Sequence, residues 1–217
     1  MGKYLSKFSV FNKMKTLLFK ESIELVVLLC VIMIIFKHYN IIFTACLIIL
    51  GMLCFFYRLP KRLKPDFDDT IITSPSDGTI LNISTTKEGL YKISIYLSIF
   101  NVHTQWYPVN GLIRNIIYKK GEFNLAHILE KSDFNEKMTT IIQNEHGVVR
   151  VDQIAGQVAR RIVNKSISNT YIKRGNLMGM IKLSSRVDIY LPVKKVKLFV
   201  HKNDTVTGKL TPIAKWI

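Results

Sequence analysis

Residues 92–97 read Lys-Ile-Ser-Ile-Tyr-Leu and carry the clearest secondary-structure signal in the chain. Apolar side chains at Ile93, Ile95 and Leu97 alternate with polar ones. A period of two residues is typical of a β-strand that buries one face and exposes the other. The stretch therefore predicts a strand whose apolar face lies on a hydrophobic core.

Similar short apolar stretches recur downstream and upstream of this strand. They are residues 79–83, 138–142, 148–151, 187–191 and 196–200. Turn dipeptides such as Asp77-Gly78 and Asn110-Gly111 separate several of them. Helical candidates are confined to residues 123–131 and part of 158–163. We therefore predict a single globular domain of the α+β class that is rich in β-strands.

The N-terminal part of the chain has a different composition. Residues 25–36 form an unbroken apolar run, residues 37–40 interrupt it, and residues 41–57 form a second run without a charged side chain. At about 1.5 Å per helical residue, the first run is too short for a bilayer core of roughly 30 Å, and the second is marginal. We therefore predict an N-terminal hydrophobic helical hairpin.

Basic residues flank both ends of this predicted hairpin. Lysines precede the first apolar run, and Arg58, Lys61 and Arg62 follow the second. The positive-inside rule places both flanks on the cytoplasmic side, so we expect a peripheral or hairpin-anchored protein at the cytoplasmic face of the cell membrane. A single span through the second run is the alternative. We expect a membrane anchor over residues 1–65 and a globular domain over residues 66–217.

The chain is strongly basic, with 31 Lys and Arg against 15 Asp and Glu and a formal net charge of +16. The excess is shared, because ten basic and two acidic residues precede position 66 and 21 basic and 13 acidic residues follow. Such a charge suits an anionic phospholipid membrane as partner. A nucleic-acid partner is not expected, because no basic motif with aromatic platforms is present.

Several common catalytic patterns are missing from the sequence. It contains no Walker loop, GxGxxG, HExxH or GxSxG pattern. Cys30, Cys46 and Cys54 all lie in the apolar N-terminal part without CxxC spacing. We therefore expect no metal site.

Three short stretches of the predicted domain are unusual. Residues 74–78 read Ser-Pro-Ser-Asp-Gly, residues 100–105 read Phe-Asn-Val-His-Thr-Gln, and residues 183–188 read Leu-Ser-Ser-Arg-Val-Asp. Each stretch alone has an ordinary structural interpretation: an Asp-Gly hairpin turn, a hydrogen-bonded histidine, and a serine turn before a strand.

Taken in order, these stretches resemble motifs of the phosphatidylserine decarboxylase family, in its short bacterial and archaeal-like form. Residues 55–60 are similar to its FFRxP segment, 74–78 to SPADG, and 100–111 to FNVHxxxxPxNG. Residues 121–136 are similar to GxFxxA…NE, 153–162 to QIAGxxARRI, and 179–188 to GxIRFGSRVD. The six ordered matches cover nearly the whole chain.

The resemblance implies a cofactor made from the chain itself. Members of the family convert one of their own serines into a covalent pyruvoyl (pyruvate) group, and by position that serine is Ser185. The chain would cleave itself between Ser184 and Ser185, giving a β chain of residues 1–184 and an α chain of residues 185–217. The amine of phosphatidylserine would then form a Schiff base with the pyruvoyl group, and loss of CO₂ would yield phosphatidylethanolamine.

The resemblance also implies roles for residues around Ser185. Asp77 and His103 occupy the positions of the family's Asp and His, so we expect Asp77 to orient His103 and His103 to activate the serine hydroxyl. Candidate ligands for the lipid phosphate or carboxylate are Arg186, Arg160 and Arg161. Structural ion pairs are the alternative role for these arginines.

Two positions depart from the family pattern. Ser184 stands where the family has glycine, which adopts strained conformations more easily than serine, so we expect slower self-cleavage. The alternative function is therefore a membrane-anchored protein of the same fold that binds anionic lipids without processing itself. Trp106 stands where longer family members have a second histidine and receives no catalytic role. The number of αβ units in an oligomer stays open.

Overall fold

A pair of helices and a β-rich domain make up the described chain. The computed structural model describes residues 22–63, 65–157, 162–182 and 185–217. The boundary between its two compact units lies between Lys61 and Arg62.

The N-terminal unit contains the predicted helical hairpin. Helix α1 spans Ile23–Ile35, helix α2 spans Asn40–Phe56, and the two helices contact each other. A short turn joins them, in which the Tyr39 backbone N–H donates to the Phe36 carbonyl at 2.9 Å. Within the described part of the chain, no helix combines the length and apolarity that a membrane crossing requires.

The second unit consists mainly of short antiparallel strands, as predicted. They are β1 (Ile71–Thr73), β2 (Gly78–Thr85), β3 (Leu90–Leu97), β4 (Thr104–Trp106), β5 (Gly111–Lys119), β6 (Lys137–Gln143), β7 (Val148–Ile154), β8 (Ile162–Asn164), β9 (Tyr171–Ile172), β10 (Leu177–Ile181), β11 (Ser185–Pro192), β12 (Val196–Leu198), β13 (Thr205–Val206) and β14 (Pro212–Trp216).

The strands form one large sheet and two small ones. The large sheet has the order β13-β2-β3-β11-β7-β6-β5-β9, so β11 lies near its middle, between β3 and β7. The small sheets have the orders β1-β14-β12 and β4-β10-β8. Residues 74–77 connect β1 to β2 across two sheets, so the Asp77-Gly78 dipeptide precedes a strand and closes no hairpin.

The core lies on one face of the large sheet. Strand β3 contributes Ile93, Ile95 and Leu97, all fully buried, which confirms the predicted alternation. Strand β11 pairs with β3 along its whole length, from Ser185 opposite Leu97 to Pro192 opposite Leu90. This register brings the apolar side chains of both strands to the same face.

The predicted helix over residues 123–131 is mostly wrong, because helix α3 spans only Leu129–Ser132. The cause is the buried side chain of Asn135. Its Oδ1 accepts the Asn124 backbone N–H at 2.7 Å, and its Nδ2 donates to the Asn124 carbonyl at 2.8 Å and to the Ala155 carbonyl at 2.7 Å. These bonds occupy backbone groups that a longer helix would pair internally.

The second helical candidate, within residues 158–163, falls partly outside the described residues. Residues 158–161 are not among them, whereas Ile162 and Val163 belong to strand β8. That strand pairs with β10, with Ile162 opposite Ile181 and Val163 opposite Met180. For these two positions the helical prediction is wrong.

Candidate active site

Ser185 is the first residue of β11 and is fully buried. Its register opposite Leu97 places it on the core face of the sheet. Its Oγ makes no hydrogen bond with any described residue. A buried hydroxyl without a hydrogen bond is uncommon in a folded protein, and Ser76 and Thr104 are further cases among the described residues.

His103 lies beside the chain that leads into Ser185. The Ile181 N–H donates to the His103 carbonyl at 3.2 Å, and β4, which follows His103, pairs with β10. Ile181 ends β10 only four positions before Ser185. The structure therefore holds the His103 backbone next to Ile181, which is four positions before Ser185 in the sequence.

The contacts of the His103 ring define its tautomer. Its Nδ1 lies 2.9 Å from the Asn101 carbonyl oxygen, and the ring is fully buried. A carbonyl oxygen can only accept, so Nδ1 carries the proton, and in the neutral ring Nε2 then carries the lone pair. This arrangement prepares Nε2 to take a proton from a neighbouring group.

A chain of buried amide groups supports the backbone at His103. Gln105 Nε2 donates to the His103 carbonyl at 2.6 Å, and Gln153 Nε2 donates to Gln105 Oε1 at 2.8 Å. Asn164 Nδ2 donates in turn to Gln153 Oε1 at 2.8 Å and to Thr140 Oγ1 at 3.0 Å. The network links β4 to β6, β7 and β8, so it fixes the position of His103 relative to the large sheet.

Asp77 lies at the same end of the large sheet as Ser185, but the described contacts of its carboxylate are with Arg62 and Gly208. Arg62 holds its carboxylate through two hydrogen bonds of 2.6 and 2.7 Å, and the Gly208 N–H adds a third at 2.8 Å. No described hydrogen bond joins Asp77 to His103, whose ring is instead oriented by the Asn101 carbonyl.

Trp106 supports the ion pair between Arg62 and Asp77. The Arg62 guanidinium stacks over the Trp106 ring at 4.4 Å from its centroid. A side chain at Gly208 would clash with the same ring, since an added Cβ would lie 2.6 Å from it. The described contacts of the Trp106 ring are therefore packing contacts with Arg62 and Gly208.

Arg186 lies on the face of the sheet opposite Ser185, because neighbouring side chains of a strand point to opposite faces. Its guanidinium is fully buried and forms ion pairs with Asp188, at 3.0 Å, and with Asp133. It also donates to the Ser132 hydroxyl on α3. Arg186 thus belongs to an internal charge cluster, which is the structural ion-pair role named above as the alternative to lipid binding.

Comparison with known proteins places this site in a family. A family model described as phosphatidylserine decarboxylase matches residues 50–213. The chain belongs to the phosphatidylserine decarboxylase family. The matched range includes the positions of Asp77, His103 and Ser185, and the family resemblance seen in the motifs is confirmed over residues 50–213.

Individual relatives agree with this assignment. The chain is 40% identical over 190 residues to the phosphatidylserine decarboxylase proenzyme of Parabacteroides distasonis, covering 82% of this chain and 83% of the relative. It is 40% identical over 167 residues to the proenzyme of Carboxydothermus hydrogenoformans, covering 74% and 78%. It is also 41% identical over 159 residues to a Methanosarcina barkeri protein named as an archaetidylserine decarboxylase proenzyme, covering 73% and 74%.

The phosphatidylserine decarboxylase family implies a pyruvoyl group at Ser185, and the described surroundings fit one. The Ser185 hydroxyl is buried and forms no hydrogen bond with the described residues, so losing its oxygen, as pyruvoyl formation requires, breaks no hydrogen bond to those residues. Three residues of the expected site lie outside the described residues: Ser184, Arg160 and Arg161. Their roles stay predictions.

The internal charge cluster of this decarboxylase family member perturbs its own carboxyl groups. Burial raises the pKa of Asp188, and the nearby Arg186 and Lys92 oppose that rise. The pKa of Asp133 is lowered: partial burial acts to raise it, but hydrogen bonds from Arg186 and Lys92 outweigh the burial. The cluster therefore joins the end of α3 to the middle of the sheet through the buried Arg186, which pairs with the half-exposed Asp133 and the buried Asp188.

The motif comparison gave no role to several residues that build the site. Gln153 had a local signal, because it follows Val149 and Val151 at a spacing of two and so is a polar side chain in an inward position. Asn101 and Arg62 had none, since their roles depend on contacts that only the folded chain creates.

We predict that Arg186→Met lowers the free energy of unfolding by about 3–5 kcal/mol, because it leaves Asp188 buried without its closest partner. The double variant R186M/D188L removes both charges and should regain much of this loss. The measurement is urea unfolding of the full chain in mild detergent, with the exposed Arg114→Met as control. If Arg186→Met unfolds at the same urea concentration as Arg114→Met, the buried charge cluster does not stabilise the fold.

Proposed function

We propose that the chain cleaves itself between Ser184 and Ser185 and then decarboxylates phosphatidylserine to phosphatidylethanolamine. The observation that carries the proposal is the buried Ser185 hydroxyl, which begins β11 without a hydrogen bond to any described residue. His103 supports it, because its backbone is bonded to Ile181 just before the cleavage segment. The family match supplies the substrate class.

The proposed self-cleavage uses the Ser185 hydroxyl as nucleophile. Its Oγ attacks the carbonyl carbon of Ser184, a C–O bond forms, the peptide C–N bond breaks, and the released nitrogen takes up a proton. Elimination then removes the α-proton of residue 185 and breaks its Cβ–Oγ bond, which frees the Ser184 carboxylate. Hydrolysis of the resulting dehydroalanine releases ammonia and leaves pyruvoyl at the new chain start.

His103 is the proposed base, since a serine hydroxyl is a weak nucleophile until a neighbour takes its proton. The Asn101 carbonyl keeps the proton on Nδ1, so Nε2 is the atom that accepts from Ser185. In the decarboxylation, the same Nε2 would return a proton to the α-carbon of the product. The buried amide chain through Gln105 and Gln153 holds His103 in position for both transfers.

Asp77 enters the proposal through the family resemblance. In the described state its carboxylate is bound by Arg62 and the Gly208 N–H, and no described hydrogen bond joins it to His103. Asp77 precedes Gly78, the first residue of β2, and β2 is separated from β11 by β3 alone. With neighbouring strands about 4.8 Å apart, Asp77 lies roughly 10 Å from Ser185.

The pyruvoyl group supplies a carbonyl that takes up the electrons released when the carboxylate leaves as CO₂. The chain's own residues would bind and orient the lipid. Arg160 and Arg161 are the proposed ligands for its phosphate or carboxylate, because a guanidinium group can bind either through two hydrogen bonds. Arg186 is omitted from this role, since its guanidinium is buried in ion pairs on the other face of the sheet.

The proposed location is the cytoplasmic face of the cell membrane. The apolar helices α1 and α2 supply a surface for lipid contact, and the net charge of +16 favours an anionic leaflet. Attraction to the leaflet also raises the local concentration of an anionic lipid substrate.

We expect the purified protein to consist of two fragments, the smaller beginning at position 185 with pyruvoyl in place of serine. Ser185→Ala removes the nucleophile and should leave one chain of 25.0 kDa. Intact-mass measurement with a denaturing gel tests this, and the exposed Ser84→Ala is the matched control that should still be cut. A fresh, folded wild-type preparation that stays uncut would favour the lipid-binding protein that does not process itself.

His103→Gln should slow self-cleavage by about 10²–10⁴-fold, because a positioned general base contributes a factor of this size. The rate is read from a time course of fragment formation after synthesis. His201→Ala is the control, since the His201 side chain is exposed and lies outside the site. Equal rates for the His103 variant and the wild type would exclude His103 as the base.

Ser184→Gly should speed self-cleavage about fivefold, because glycine reaches strained conformations at about 1 kcal/mol less cost than serine. Ser184→Ala separates the two possible causes, as it removes the hydroxyl but keeps Cβ. If the alanine and glycine variants are equally fast, the serine hydroxyl and not Cβ limits the reaction. The same time course of fragment formation provides the rates.

A further inference from the structure

The turn between β3 and β4 has an unusual composition. The Asn101 N–H donates to the Ser98 carbonyl at 3.0 Å, and Asn101 Oδ1 accepts from the Ser98 N–H at 2.9 Å and from the Ser98 hydroxyl at 2.8 Å. Ile99 and Phe100 occupy the two central positions, where Gly, Pro, Asn and Asp are usual. Their exposed fractions are 52% and 71%.

The tip of this turn is therefore both rigid and apolar. Three hydrogen bonds between Ser98 and Asn101 fix the backbone, so neither Ile99 nor Phe100 shapes the turn by its own conformation. Single exposed apolar residues are common on protein surfaces. Two adjacent ones at the tip of a fixed turn instead form a small hydrophobic projection, which suits insertion into another apolar phase.

The turn lies at the edge of the large sheet that carries Ser185. Strand β3 ends at Leu97, directly opposite Ser185, and the turn begins at the next residue. Phe134 is 65% exposed and lies near the same end of the sheet. It is two residues before Glu136, and the Glu136 carbonyl accepts the N–H of Ala155, the residue after β7. Exposed apolar side chains thus lie at the same end of the sheet as Ser185.

We propose that the 98–101 turn is a membrane contact that inserts Ile99 and Phe100 among the lipids beside Ser185. The inference rests on the proposed function, in which the substrate keeps its acyl chains in a bilayer while its head group reaches a buried residue. The excess of 21 basic over 13 acidic residues after position 65 favours an anionic bilayer as the partner.

Asn101 connects this contact to the proposed chemistry. Its side chain fixes the apolar turn, and its backbone carbonyl holds Nδ1 of His103 at 2.9 Å. Insertion of the turn therefore sets the depth and orientation of the imidazole relative to the lipid head groups. One residue supports both the membrane contact and the proton-transfer group.

The first test measures insertion without turnover. Phe100→Trp in the full chain is mixed with anionic phosphatidylglycerol vesicles whose acyl chains are brominated, and its emission is compared with wild type, in which Trp106 and Trp216 are buried. We expect a blue shift and quenching of the added tryptophan. Ile167→Trp is the control, because Ile167 is 69% exposed and lies in the loop before β9. Strand β9 pairs with β5 at the end of the sheet away from Ser185. Equal quenching at both positions, or none at position 100, overturns the proposal.

The second test separates membrane contact from catalysis. The double variant I99S/F100S should raise KM for phosphatidylserine in vesicles about tenfold or more, since two apolar side chains no longer leave water. Its kcat on monomeric short-chain phosphatidylserine should equal that of wild type, and Ile167→Ser should match wild type on both substrates. Equal loss on both substrates would make the turn part of the catalytic structure and overturn a lipid contact.

Failure of this inference is distinguishable from failure of the proposed function. Fragment formation in the I99S/F100S variant reports self-cleavage independently of any vesicle. The quenching measurement needs neither cleavage nor activity. A cut and active I99S/F100S variant with wild-type KM on vesicles would retain the decarboxylase and remove the membrane contact.

Discussion

The pairing of β11 with β3 and β7 is the constraint on which the rest of the structure depends. Ser185 to Leu191 are all buried, so each side chain of the strand needs apolar or polar partners that suit it on the face to which it points. Alternation sends Val187, Ile189 and Leu191 into the core and sends Arg186 and Asp188 to the opposite face. A shift of the register by one residue would bury the charges in the core and also move Ser185 away from its position opposite Leu97.

The two faces of β11 have different tasks. The core face holds Ser185 and, on the neighbouring β7, the amide of Gln153 that leads through Gln105 to His103. The other face holds the buried Arg186, whose ion pair with the half-exposed Asp133 attaches the end of α3 to the sheet. Burying a charge costs free energy unless the charge is paired. The ion-pair partners on this face must therefore lie at defined distances from one another, whereas apolar side chains need only be in contact. The proposed reactive group, Ser185, and the supporting ion pairs thus lie on opposite faces of one strand.

The sequence predicted the strands better than the contacts between them. Alternation at Ile93, Ile95 and Leu97 identified β3, and the ordered motifs were sufficient to identify the family. The helix over residues 123–131 was overestimated, because a distant side chain, Asn135, binds the backbone there. The partner of Asp77 was not predictable either, since Arg62 meets it only after the chain folds. Local patterns reveal strands, whereas hydrogen bonds between distant residues require the folded chain.

The central position of β11 has a consequence for a chain that is cut before Ser185. All four strands of the smaller fragment pair with the larger one or with each other: β11 with β3 and β7, β13 with β2, and β14 with β1 and β12. The fragments would share one hydrophobic core and stay together without a covalent link. The arrangement of the two fragments, however, would have formed while they were still one chain. After unfolding, the two separate chains would have to associate in solution before they could refold. Refolding of the cut protein would therefore depend on its concentration and would be far less efficient than folding of the intact precursor.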